Sequence, residues 1–95
     1  MIMLDSGNVL LKPSHRRHIL ACLKRPHRMG ARLGECRLNV SMSRVGRLFE
    51  VRADVRDAAG AFRCRSRQRD WRSAMRDIAW SISARLSQQR LFDAA

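Results

Sequence analysis

Three stretches between Cys36 and Arg67 alternate apolar with polar residues at a period of two, which suits a half-buried strand and no helix. Cys36, Leu38, Val40 and Met42 alternate with Arg37, Asn39, Ser41 and Ser43. Phe49, Val51, Ala53 and Val55 alternate with Glu50, Arg52, Asp54 and Arg56, and Phe62, Cys64 and Ser66 with Arg63, Arg65 and Arg67. Ser43-Arg44-Val45-Gly46 supplies the first turn and Asp57-Ala58-Ala59-Gly60 the second. The three strands therefore form an antiparallel meander with one face toward a core and one toward water.

A helix follows. Asp70 is suited to cap it, and Trp71, Ala74, Met75, Ile78, Ala79, Ile82 and Leu86 recur at core-facing helical spacing. Arg85 and Arg90 complement the dipole near its end, and Leu91–Ala95 is expected to be a frayed tail. At the other end of the chain, residues 2–11, which include Val9-Leu10-Leu11 after Ser6-Gly7-Asn8, predict a first strand, bulged or kinked near Gly7. Pro13 opens a helix over residues 13–25 with Ile19, Cys22 and Leu23 inward and His15 one turn earlier. Arg17, Lys24 and Arg25 point outward, Pro26 is expected to stop the helix, and residues 27–34 to form a loop. The order is β-α-β-β-β-α, an α+β fold in which two helices pack on one face of a four-stranded sheet and leave the other face open. A chain of 95 residues is expected to make one domain with a modest core.

Charge narrows the function. Lys and Arg number 20 against 8 Asp and Glu, a net charge of +12. Only Lys12 and Lys24 are lysines. Genomic drift toward arginine explains much of the Arg:Lys ratio and less of the net charge. Self-repulsion on this scale is relieved by a polyanion, and the planar guanidinium suits phosphate and stacks on bases. The charge suits RNA, DNA or an anionic membrane surface, of which no membrane partner is expected. No apolar run approaches the roughly 20 residues of a spanning helix, so membrane insertion is not expected. Cys22, Cys36 and Cys64 lack metal-site spacing and are expected to be reduced thiols of a cytoplasmic protein. His15 suits a structural position, while His18 and His27 are expected to join the basic surface. No metal, nucleophile–base or phosphate-loop motif is present, so neither an enzyme nor a small-molecule substrate is expected.

The candidate RNA-binding residues are Arg16, Arg17, Lys24, Arg25, Arg28, Arg37, Arg52, Arg63, Arg65, Arg67, Arg72, Arg76 and Trp80. On the open sheet face Arg37, Arg52, Arg56, Arg63, Arg65 and Arg67 outnumber Glu50 and Asp54, although ordinary cross-strand pairing accounts for part of that pattern. Trp80 lies about 160° from the apolar stripe of its helix. It is either covered by a loop or edge of the fold, or exposed as an interface. An interface is the preferred expectation: a base-stacking platform or a protein anchor.

Several motifs resemble the ribosome hibernation promoting factor family, also called the ribosome-associated inhibitor family. Gly7-Asn8-Val9-Leu10-Leu11-Lys12-Pro13 is similar to its first strand leading into a proline-started helix. Cys36 to Val55 is similar to its two long strands, Phe62 to Arg67 to its third meander strand, and Asp70, Ala74, Met75, Ile82 and Leu86 to its last helix. The resemblance covers nearly the whole chain and rests on apolar register. It implies a divergent short form that binds rRNA in the decoding region of the small ribosomal subunit, occludes mRNA and tRNA, and silences idle ribosomes without a cofactor. The chain departs from the family pattern at Arg76 and Trp80, where acids are usual, and at Ser81, where lysine is. It is arginine-rich where the family is lysine-rich, and no second, dimerising domain is expected. The alternative is a protein-interaction or general nucleic-acid-binding module of the same fold, homodimeric through Trp80.

Overall fold

The computed structural model describes residues 1–32, 34–58 and 60–93, with side chains described through Gln88. The elements run β1 (Ile2–Asp5), α1 (Pro13–Ala31), β2 (Arg37–Val45), β3 (Leu48–Asp57), β4 (Gly60–Gln68) and α2 (Trp71–Asp93). The sheet order is β1-β2-β3-β4, with β1 parallel to β2 and the other pairs antiparallel. The fold is thus α+β, and the meander expected from the period-two runs is present.

The alternating residues place the core. Leu38, Val40, Met42, Val51, Ala53, Val55 and Phe62 are buried on one sheet face. Ile19 and Leu23 of α1 and Ala74, Met75, Ile78, Ile82 and Leu86 of α2 are buried in the same cluster. Burying a large aliphatic side chain contributes about 1.5–3 kcal/mol, so this layer holds both helices to the sheet. Asp70 caps α2 as its position suggests: Oδ1 accepts from the Ser73 amide and Oδ2 from the Ser73 hydroxyl, both at 2.8 Å. These bonds hold the Asp70 carboxyl below its ordinary pKa.

Four boundaries differ from the sequence expectation. First, β1 ends at Asp5, and Val9-Leu10-Leu11 is not strand. Gly7 takes φ +55°, Asp5 Oδ1 accepts from the Gly7 amide, and the Val9 amide donates to the Ser6 carbonyl. A turn therefore replaces the expected kink. Val9 still reaches the core, whereas Leu10 is 99 % exposed. Asn8 fastens the loop by accepting from the Arg44 amide (2.8 Å) and donating to the Arg44 carbonyl (3.2 Å).

Second, Pro26 lies inside α1, which continues to Ala31. An internal proline removes a backbone hydrogen bond at a cost of about 3 kcal/mol. Tertiary contacts offset the loss: Pro26 and Gly30 are buried, and Met29 packs against the core. His27 Nε2 lies 2.7 Å from the Met1 amino group and 3.1 Å from the Cys36 carbonyl, which also accepts from that amino group at 2.8 Å. His27 is therefore a tertiary anchor and not part of a basic surface. Residues 27–31, expected in a loop, are helical, and Leu33 lies outside the described residues.

Third, β2 runs on to Val45, which pairs with Leu48 across a two-residue Gly46-Arg47 loop. Gly46 has φ +61° at the first central position, where a hairpin turn of this kind wants glycine. Fourth, α2 continues through Leu91 to Asp93 where a frayed tail was expected, while Ala94 and Ala95 lie outside the described residues. The Arg85 guanidinium sits 5.4 Å from the Phe62 ring centroid, and the Arg90 side chain falls outside the described ones.

Candidate nucleic-acid interface

The candidate residues divide between two surfaces because the helices cover only one face of the sheet. On the open face, strand register brings Glu50 opposite Arg67, Arg52 opposite Arg65 and Asp54 opposite Arg63. Glu50 points away from the helices, as its place in the alternation requires, yet it is only 4 % exposed. Its cover is three arginines: Nε of Arg67, Arg52 and Arg65 approach Glu50 Oε1 at 3.3, 3.4 and 3.7 Å. Burial opposes ionisation of the Glu50 carboxyl. The Arg67 hydrogen bond and the charges of Arg52 and Arg67 outweigh it and hold the pKa below the ordinary value. Arg63 pairs with Asp54 at 2.7 Å and Arg37 with Glu35 at 3.7 Å. The row of arginines on β4 is therefore a set of ion pairs centred on one carboxylate, positive in sum but partly engaged.

The helical side is different. Arg17, Lys24, Arg25 and Arg28 of α1 and Arg72 and Arg76 of α2 are all exposed. Helix α1 contains no acidic residue. Among the described residues, no carboxylate comes within ion-pair distance of Arg17, Lys24, Arg25, Arg28, Arg72 or Arg76. Arg72 stacks 4.8 Å from the Trp71 ring centroid, and His15 and His18 approach the same ring at 5.1 and 6.2 Å. His15 is thus half-buried in a structural position, as expected, while His18 is exposed at the edge of the same ring. Arg16 turns toward β1 and donates to the Leu4 carbonyl at 2.9 Å.

Trp80 is 73 % exposed, so among the described residues no edge of the fold covers it. It stands over a groove along the seam of α1 and α2, with Cys22, Pro26 and Met29 on the opposite wall and Arg25 and Arg76 at the rim. The groove runs into a second hollow between Arg25, Arg28, Met29 and Arg32. Arg32 is absent from the sequence-derived candidates. The succession Arg25, Arg28, Arg32, at intervals of three and then four residues, becomes visible only once α1 is carried past Pro26.

The remaining thiols show no activation. Burial pushes both Cys36 and Cys64 up from the ordinary thiol pKa, with Asp57 reinforcing the rise at Cys36. Among the described residues no group of His, Cys, Asp or Glu comes together as a metal site, and no helix is long and apolar enough to cross a membrane.

No family model matches the chain, and no curated protein matches it in sequence. Solved structures do match. The N-terminal domain of Protein Y from Thermus thermophilus superposes with a TM-score of 0.79 at 19 % identity, covering 93 % of this chain and 98 % of that domain. A ribosomal subunit interface protein from Coxiella burnetii superposes with a TM-score of 0.79 at 15 % identity, covering 95 % of this chain and 97 % of its own. The β-α-β-β-β-α fold is therefore shared with both along almost their whole length.

Proposed function

We propose that this chain is a ribosome-associated silencing factor of the hibernation-promoting kind, acting as one domain. It binds rRNA in the decoding region of the small subunit through its basic surface and excludes mRNA and tRNA. The observation that carries this reading is the superposition on a ribosomal subunit interface protein across 95 % of the chain. The charge supports it: a net +12 suits a polyanionic partner, and arginine forks bind phosphate bidentately. Recognition is of folded RNA shape and backbone more than of sequence. No bond is made or broken and no cofactor takes part. The protein acts in the cytoplasm, where its target is.

Phosphate contacts make the binding salt-dependent. Six contacts give a log–log slope of about −4 to −5. Sucrose-gradient profiles of stationary-phase cells test the proposal. The protein is expected to migrate with ribosomal particles at physiological salt; its absence from every ribosomal fraction would refute the proposal.

A further inference from the structure

An exposed indole on the polar side of a helix offers a stacking surface, and its surroundings say which partner it suits. Trp80 is 73 % exposed, although α2 buries its apolar stripe elsewhere. The groove beside it is lined by the apolar groups of Pro26, Met29 and Ala79, against which a planar ring can pack. Its rim carries Arg25 and Arg76, and no acidic residue lines it. Arg28 and Arg32 continue the positive edge along α1.

We propose that the seam between α1 and α2 seats one unstacked nucleotide of RNA, the base on the Trp80 indole and the phosphate between Arg25 and Arg76. The next phosphates follow Arg28 and Arg32. This seat rests on the RNA-binding function proposed above and specifies the form of RNA it takes, a single-stranded or looped-out residue. Every base offers a face for stacking, so the seat is tolerant of sequence.

Two comparisons favour a nucleotide over other occupants. The arginines of the open sheet face already share Glu50 and Asp54, so an incoming phosphate there displaces an existing partner. At the seam, neither Arg25 nor Arg76 has a carboxylate in ion-pair range among the described residues. A second copy of the chain fits poorly. A two-fold contact through Trp80 would bring the Arg25 and Arg76 edges of the two grooves together, with no acid among the described lining residues to separate them.

The test uses the full chain, a short fluorescent oligouridylate, an RNA hairpin of equal charge and purified small ribosomal subunits. Trp80→Ala is expected to weaken oligouridylate binding about 5- to 150-fold, leave the salt slope unchanged and affect the hairpin stem little. Trp80→Phe keeps most of the affinity. Arg25→Ala and Arg76→Ala each weaken binding and flatten the slope by about 0.7. Circular dichroism melting, expected to be unchanged, shows that each variant is folded. The proposal is overturned if wild type does not bind oligouridylate or if Trp80→Ala binds it like wild type. It is equally overturned if wild type sediments as a dimer that Trp80→Ala dissociates. The function can fail separately. If wild type fails to sediment with small subunits while the oligouridylate results hold, the ribosomal target is wrong and the nucleotide seat stands.

Discussion

Gly30 sets how closely the last turn of α1 approaches Cys36, just before β2, and Leu86 of α2, and so fixes the wall that carries Met29 and Arg32. A Cβ at position 30 would lie 2.5 Å from Cys36 Sγ, 3.3 Å from Cys36 Cβ and 3.7 Å from Leu86 Cδ1. The first distance is more than about 1 Å inside ordinary contact. Cys36 is 3 % exposed and has little room to turn away. Overpacking of this kind costs about 1–3 kcal/mol, against about 1 kcal/mol gained when alanine replaces glycine inside a helix. Gly30→Ala should therefore destabilise by about 0–2 kcal/mol, lowering Tm by up to roughly 16 °C for a domain of this size. Removing Sγ relieves the 2.5 Å contact and leaves the 3.3 Å approach to the Cβ of residue 36, which a shift of a few tenths of an ångström absorbs. In a Cys36→Ala background the same Gly30→Ala change should be neutral or stabilising by up to about 1 kcal/mol. The measurement is a double-mutant cycle from urea unfolding of the four proteins, with an expected coupling of about 1–3 kcal/mol. Effects that add within about 0.5 kcal/mol would show that position 30 does not press on Cys36, and the packing of the α1 C-terminal turn would need to be redrawn.

Two further outcomes follow from the ionisable groups. Because the Glu50 carboxyl is held below its ordinary pKa, its contribution to stability is present above the unfolded value and is lost as pH falls through the folded one. Urea midpoints measured from about pH 6 down to pH 2 should therefore fall more steeply for wild type than for Glu50→Gln; parallel curves would mean the three arginines do not hold a carboxylate. Cys36 is buried with a raised pKa while Cys22 is half-exposed in the seam. Iodoacetamide should label Cys22 of the native protein well before Cys36, and bound oligouridylate should slow Cys22. Labelling unaffected by saturating RNA would place the RNA elsewhere.

Period-two alternation and the α2 stripe made the sheet and its helix-bearing face legible, because both patterns are local and directly set which side chains are buried. Asp70 was legible for the same reason: a cap needs only the next three residues. What escaped depended on distant partners. Pro26 reads as a helix stop, and only burial of its ring and the His27 and Gly30 contacts with Cys36 carry α1 past it. The Asp5-Gly7 turn hides inside an apolar run that otherwise suits a strand. Glu50 reads as a solvent-facing acid, and its burial arises from arginines on its own strand and the neighbouring one. Trp80 was legible as an outward residue from its helical angle. Its groove was not, since Cys22, Pro26 and Met29 meet it only after both helices have docked on the sheet.

The central claim is that the protein occupies the decoding region of the small subunit. Chemical footprinting of purified small subunits, with and without the full chain at physiological salt, tests it most directly. Protection of decoding-region nucleotides is expected, diminishing as salt is raised and reversed by excess mRNA and tRNA. An unchanged footprint there at saturating protein, or protection confined to another part of the subunit, would contradict the account.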